Sequence, residues 1–368
     1  MFSNIKGQQR AIKILKKSIE NKKVGQAYLF YGPNGVGKVT TALYLAMTLN
    51  CANPTGNGAC GYCNSCKKIE NLSHGDLIYL FPSINLEMSE EGEIKNSKAM
   101  KEYKDFIENR IHNPWKKFYF SGNSEIRLDV IRMLQHRLTF SITEGKYRVV
   151  IIEDADKMRV DAANSFLKTL EEPPENTIMI LTTSRPDYIL PTIKSRCQEI
   201  QFVPLSNNII EAELKRHVSL EDIQRKIISK IANGDLEKAF EIAEYGHLEA
   251  RQDMVKLIEI ALKSDDIEFL IMLEQYKTSA KKNQLADLIS FMIILFSDLS
   301  LILNGHDDIV NMDLVELLEK IISKNDRIDR EILEILEFLE KMKSQLKGNV
   351  NIQLIFISIY FYLNKLFV

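Results

Sequence analysis

Residues 26–41 read QAYLFYGPNGVGKVTT. A short apolar run meets a glycine-rich loop, and TTALYLAMTLN follows with helical spacing. Strand, glycine loop and helix in that order give the pattern G-x-x-x-x-G-K-[ST] its meaning as a phosphate-binding P-loop; out of that context it is a turn with a chance lysine. Gly32, Gly37 and Lys38 fall where the pattern wants them, but the last position is Val39 instead of Ser or Thr. Backbone amides from Asn34 through Gly35, Val36 and Gly37 to Lys38 are expected to form a positively polarised nest at a helix N-terminus. Lys38 would reach the β- and γ-phosphates. The candidate phosphate-binding stretch therefore runs Gly32, Pro33, Asn34, Gly35, Val36, Gly37, Lys38, Val39 and Thr40. Val39 leaves the nest intact. It removes one oxygen ligand from Mg²⁺, the ion that neutralises charge in phosphoryl transfer. Thr40 comes one residue too late and is expected to point elsewhere on the helix. Binding of ATP or ADP with Mg²⁺ is expected to be weak or absent.

Two more runs read as buried parallel strands, YRVVIIED at 147–154 and TIMILTTS at 177–184. Both are aliphatic without alternation, as befits strands covered on both faces. Helical segments such as DAANSFLKTLEE at 161–172 lie between them, so a doubly wound α/β domain is expected. From about residue 207 the strand signals stop. Segments such as LEDIQRKIISKIANG and REILEILEFLEKMKSQLKGN carry apolar residues at i, i+3, i+4 and i+7, and Gly234, Gly246, Gly305 and Gly348 sit at plausible helix ends. The boundary falls at VPLSN, 203–207, with a softer one near 246–252. A long polar stretch between Leu80 and Ser121, including EMSEEGEIKNSK and Trp115, reads as an insertion.

VVIIED ends in an acid pair. Behind a P-loop, one such acid holds Mg²⁺ and the next orients the attacking water; alone, the pair is a loop cap. The usual order is Asp then Glu. Here Glu153 precedes Asp154, so the acid in the water-activating position is one methylene short, a displacement to which catalysis is sensitive.

CANPTGNGACGYCNSC places Cys51, Cys60, Cys63 and Cys66 as C-x8-C-x2-C-x2-C. The C-x2-C pairs have the bite of tetrahedral Zn²⁺, and four thiolates leave no open position, so the metal would be structural. Scattered free thiols are the alternative, against which stands the fact that only Cys197 lies outside the cluster.

Composition excludes some classes. The 368 residues are too many for one ordinary core, so two or three domains are expected. Hydrophobic residues make up 45% and charged residues 27%, with net charge −2, so no global basic field draws the chain to nucleic acid or membrane. The N-terminal MFSNIKGQQR is polar and signals no secretion, and NVNIQLIFISIYFYLN near the C-terminus reads as a buried helix rather than a span. A cytoplasmic location without membrane attachment is expected, and five cysteines in such a chain favour metal binding over disulfides.

QAYLFYGPNGVGK, the four-cysteine run, VVIIEDADKM, AANSFLKTLEEPPENT and LTTSRPDYILPTIKSRC occur in one order. This resembles the bacterial DNA polymerase III clamp-loader subunits, the gamma/tau and delta-prime type of the AAA+ class, strongly over residues 1 to about 205. The resemblance implies a P-loop AAA+ domain over 1–206 with an inserted zinc module (51–66) and the polar insertion (about 80–120). It further implies a small helical lid over 207–248 and an all-helical collar over 249–368. Arg196, within Ser195-Arg196-Cys197, matches the arginine finger given to a neighbour's ATP site, where a guanidinium stabilises charge on the γ-phosphate. Without the resemblance it is an ordinary surface arginine. Thr183 or Ser184 matches the γ-phosphate sensor, beside Glu153 and Asp154. Glu237, in NGDLEKAF, stands where the family places a second-sensor arginine, and an acid there would repel a triphosphate.

Val39, the Glu153–Asp154 order and Glu237 each weaken hydrolysis by this chain, while the arginine offered to a neighbour is kept. That is the profile of the delta-prime type. The implied partners are gamma/tau-type and delta-type subunits, the sliding clamp and primed DNA, with own ATPase activity weak or absent. The alternative is an ATP-hydrolysing gamma/tau-type subunit with relaxed motifs. A third reading, a zinc-containing interaction protein on a dead P-loop scaffold, gives no use to Arg196. The apolar stripes of the C-terminal part are mostly core, and LIFISIYFYLNKLFV has enough apolar surface to pack partly against partners.

Overall fold

The computed structural model describes residues 5–367 except 57, 88–93, 117, 245–247, 278–280, 308, 326, 347 and 349. The chain divides into two compact units, 1–213 with 233–240, and 214–232 with 241–368. The segment expected as a lid, 207–248, is thus shared between them.

In the first unit the elements are α1 (Gln9–Glu20), β1 (Ala27–Tyr31), α2 (Lys38–Asn50), α3 (Asn64–Glu70), β2 (Leu77–Leu80) and α4 (Ser97–His112). They continue with α5 (Leu128–Leu138), β3 (Arg148–Ile152), α6 (Val160–Glu171), β4 (Thr177–Thr183), α7 (Pro191–Lys194) and β5 (Gln198–Gln201). The sheet is wholly parallel, ordered β2-β3-β4-β1-β5. The three runs read from the sequence are its three interior strands. The edge strands β2 and β5 went unread: each has four residues, and β5 (QEIQ) buries only Ile200.

Successive side chains enter opposite layers. Tyr28, Phe30, Val149, Ile151, Ile178 and Ile180 pack with Leu15 of α1 and Leu45 and Ala46 of α2. Leu29, Val150, Ile152, Met179 and Leu181 pack with Ile131 and Leu134 of α5 and Phe166 of α6. A parallel sheet covered on both faces explains runs without alternation.

The insertion is mostly built structure. Asn96 caps α4, accepting from the amides of Lys98 and Ala99. Phe81, Tyr103, Phe106, Phe118 and Phe120 form one aromatic cluster, and Trp115 stacks on Phe240 at 5.2 Å. Its most polar part, 88–93, lies outside the described residues, as does the helix end expected at Gly246.

Beyond β5 every described element is a helix: α8 (Asn207–His217), α9 (Asp222–Ala232), α10 (Leu236–Glu244), α11 (Leu248–Lys263), α12 (Asp266–Gln275), α13 (Lys282–Leu303), α14 (Val315–Lys324), α15 (Ile328–Gln345) and α16 (Ile352–Phe367). In the second unit α13 packs against α11 and α15. It is long and apolar enough to cross a membrane, yet half of it is buried inside the protein, as a core helix is. α16 buries Ile355, Phe356, Ile359, Tyr360 and Leu363, with Phe269 stacked on Tyr360 at 3.8 Å, but leaves Leu354 and Phe361 about 60% exposed.

Candidate functional site

The carboxyl ends of β1, β3 and β4 border one cavity of ≈ 890 Å³ in the first unit, the usual ligand position in an open α/β sheet. β1 passes into the loop at Gly32, with φ +147°, where an added Cβ would lie 2.2 Å from the Phe202 carbonyl oxygen. Gly35 has φ +63°, and a Cβ there would lie 2.0 Å from Asp235 Oδ1 and 2.6 Å from the amide nitrogens of Leu236 and Glu237. Both positions therefore demand glycine. The Leu236 amide donates to the Gly35 carbonyl at 3.3 Å, so the start of α10 rests on the P-loop.

Lys38 opens α2 and is buried. Its ammonium donates to the carbonyls of Gly32, at 2.9 Å, and Pro33. Burial draws its pKa below the ordinary lysine value, opposed by Glu237, Asp154, Asp235 and Glu153 in that order. Pro33 to Thr40 all border the cavity, Thr40 included. Thr40 is thus at the cavity, where the sequence reading expects it to point elsewhere on the helix.

Glu153 follows β3, and both of its carboxylate oxygens are engaged. Arg110, near the end of α4, donates to Oε1, and the Tyr79 hydroxyl of β2 donates to Oε2. The Arg110 and Glu153 side chains are only 13% and 14% exposed. Burial holds the Tyr79 phenol well above its ordinary pKa, so it remains a donor. Asp154, at φ +48°, pairs with Lys157 at 3.0 Å. Thr183 is fully buried; its hydroxyl donates to Asp156 Oδ1 at 2.7 Å and accepts from the Arg185 amide at 2.9 Å. Arg185 Nε donates to the other oxygen of Asp156 at 2.8 Å. Ser184 borders the cavity. So does Glu237, whose carboxyl burial pushes up to about 7. Val39 brings no oxygen and Glu153 is spent on two other donors, so these residues do not suit a magnesium-bound triphosphate.

Arg196 stands apart from the cavity, just after α7. It donates to the Thr192 carbonyl at 2.9 Å and forms an ion pair with Glu171 at the end of α6.

The cysteines do fit a metal. Cys51 caps α2, Cys63 caps α3, Cys66 lies in the first turn of α3, and all four sulfurs lie within 4.8 Å of one another. Cys51–Cys63 and Cys60–Cys66 are 4.0 Å apart, close to the edge of about 3.8 Å that four Zn–S bonds of ~2.3 Å require. Backbone amides of Cys60 and Cys63 donate to neighbouring sulfurs, at 3.3 and 3.4 Å, as thiolates want. Burial raises the Cys63 thiol, but amides of Cys66 and Ala52 outweigh it and bring it down to about 6.

A family model described as DNA polymerase III, delta subunit, matches residues 7–206, more than half of the chain. The chain belongs to the DNA polymerase III delta subunit family. Among curated members and relatives, the DNA polymerase III subunit delta' of Bacillus subtilis is 28% identical over 94% of this chain and 93% of its own length. The Pseudomonas aeruginosa subunit delta' is 35% identical over 49% of this chain and 43% of that protein. The subunit tau of Bacillus subtilis is 28% identical over 77% of this chain, which spans only 44% of tau.

The P-loop, the acid pair and the cysteines were readable in the sequence as candidates; Tyr79, Arg110, Asp156 and Arg185, which the structure brings beside them, were not. The run LIYL carried a signal for Tyr79. For Arg110 the signal was weaker: an arginine four residues after Phe106 on a capped helix.

Proposed function

We propose that the chain is a delta-prime-like subunit of the DNA polymerase III clamp loader, assisting ATP-driven loading of the sliding clamp onto primed DNA. The observation that carries this is the match to the Bacillus subtilis subunit delta' along nearly the whole of both chains, where tau is matched over less than half its length. Gamma/tau-type and delta-type subunits are its partners, and the cytoplasm is its place. Residues 1–206 act as the AAA+ domain, 207–248 as the lid and 249–368 as the collar, through which subunits assemble. The exposed Leu354 and Phe361 support such a collar surface.

Arg196 serves as the finger in trans. Its exposed position after α7 and its hold by Glu171 support a side chain presented outward on a fixed base. Glu153, Asp154 and Thr183 are relics of the catalytic set, all three engaged with neighbours of this chain. Cys51, Cys60, Cys63 and Cys66 hold Zn²⁺, which with four thiolates supplies a cross-link and no reactive position. It ties the end of α2 to the start of α3.

The test is clamp loading onto primed DNA by a complex reconstituted with and without this chain. Loading that needs the chain supports the reading. Equal loading without it contradicts the reading and leaves the zinc-bearing interaction scaffold.

A further inference from the structure

We propose that this chain's own side chains occupy the metal position of the P-loop pocket and crowd its phosphate-facing glycine, so that the cavity does not accept a magnesium-bound nucleotide. Arg110 takes the place at Glu153 that a divalent cation takes in a working site, and the Asp235–Glu237 turn covers the loop glycine that would face phosphate. The inference concerns nucleotide access to this chain alone, so it stands or falls separately from the replication role.

Four observations converge on it. Both oxygens of Glu153 are used, by Arg110 from the inserted helix and by Tyr79 from β2. The guanidinium and the carboxylate are largely buried, and Arg110 also donates to the Pro114 carbonyl at 2.9 Å and lies 5.5 Å over the Phe106 ring. A metal ion entering here must first expel a cation that is already paired and packed. Secondly, Val39 supplies no oxygen to such an ion. Thirdly, Asp235 and the amides of Leu236 and Glu237 press on Gly35 so closely that a methyl group would not fit. Fourthly, Lys38 turns its ammonium onto the loop's own carbonyls, in a field supplied by Glu237, Asp154, Asp235 and Glu153. The charges that Mg²⁺ and triphosphate bring to a working site are here matched by groups of the chain itself. The stretch read from the sequence as an insertion of unknown purpose acquires one: it delivers Arg110 to Glu153 and Trp115 to Phe240.

Fluorescent ADP and ATP analogues titrated into the full chain, once with Mg²⁺ and once with EDTA, test this. The wild type is expected to give the same negligible binding in both. Arg110→Gln keeps a donor for Glu153 without the charge, and Arg110→Met keeps the volume. A folded variant of either kind is expected to bind about tenfold or more tightly than wild type, and only with Mg²⁺. Tight, EDTA-reversible binding by the wild type overturns the proposal, and this arm needs no variant. Folded variants that bind no better than wild type overturn it too.

Discussion

Arg110 and Glu153 form a largely buried ion pair that joins the helix of the inserted stretch to the end of β3, 43 residues further along the chain. It fixes the insertion to the sheet at the place where a P-loop protein ordinarily works on its nucleotide. Removing one partner of such a pair strands the other charge in a poor solvent. Arg110→Ala is therefore expected to destabilise the first unit by about 3–5 kcal/mol, read from urea unfolding of that unit. Exchanging both residues for apolar ones of similar size is expected to recover most of the loss.

Asp76 organises the approach to β3. Its buried carboxylate accepts from the amides of Thr143, Glu144 and Gly145 at 2.9, 2.8 and 2.7 Å, and from the Thr143 hydroxyl. Burial alone would raise its pKa, but the amides of Glu144, Thr143 and Gly145 win and hold it below 3.8. A depressed carboxylate contributes stability above its unfolded pKa and loses it as pH falls through the folded one. Asp76→Ala should cost about 2–4 kcal/mol at neutral pH, shrinking in strong acid; an unchanged melting temperature at pH 7 would contradict the assignment.

Glu237 runs the other way. Its carboxyl is raised from 4.5 to about 7, first by burial and then by Asp235 and Glu153, with Arg110 and Lys38 opposing. The unfolded chain gives up this proton more readily, so the group lowers stability as pH rises from 4.5 to about 7, and the cost levels off above that. Glu237→Gln should raise the melting temperature more at pH 8 than at pH 5. Equal shifts at the two values would show that the carboxyl titrates normally.

The cysteine cluster predicts about one zinc per chain, measurable by metal analysis of the purified protein. Cys63→Ser and Cys66→Ser should each lower the zinc content and the melting temperature, and a strong chelator should do the same to the wild type. Full zinc retention in both variants would show that the ion sits elsewhere.

The P-loop was legible because its glycines answer to local geometry: Gly32 and Gly35 meet backbone or side-chain atoms so closely that no other residue fits. The interior strands were legible because burial on both faces writes itself as unbroken aliphatic runs. β5 was not, since an edge strand of sequence QEIQ needs only Ile200 inside. Arg110 was out of reach for another reason. Its meaning lies in Glu153, far along the chain, and no periodicity links an arginine on one helix to an acid after a distant strand. The same holds for Asp156, on which the Thr183 hydroxyl and the Arg185 guanidinium converge from β4 and the loop after it.

On the proposed reading this chain lends an arginine and hydrolyses nothing. That reading is tested most directly by DNA- and clamp-stimulated ATPase of the complex reconstituted with its own gamma-type and delta-type subunits. Arg196→Ala and Lys38→Ala forms of this chain are compared. The account predicts that Arg196→Ala lowers turnover while Lys38→Ala leaves it unchanged. A loss with Lys38→Ala as large as that with Arg196→Ala would mean a working ATPase site behind Val39, and the gamma/tau-type reading would replace this one.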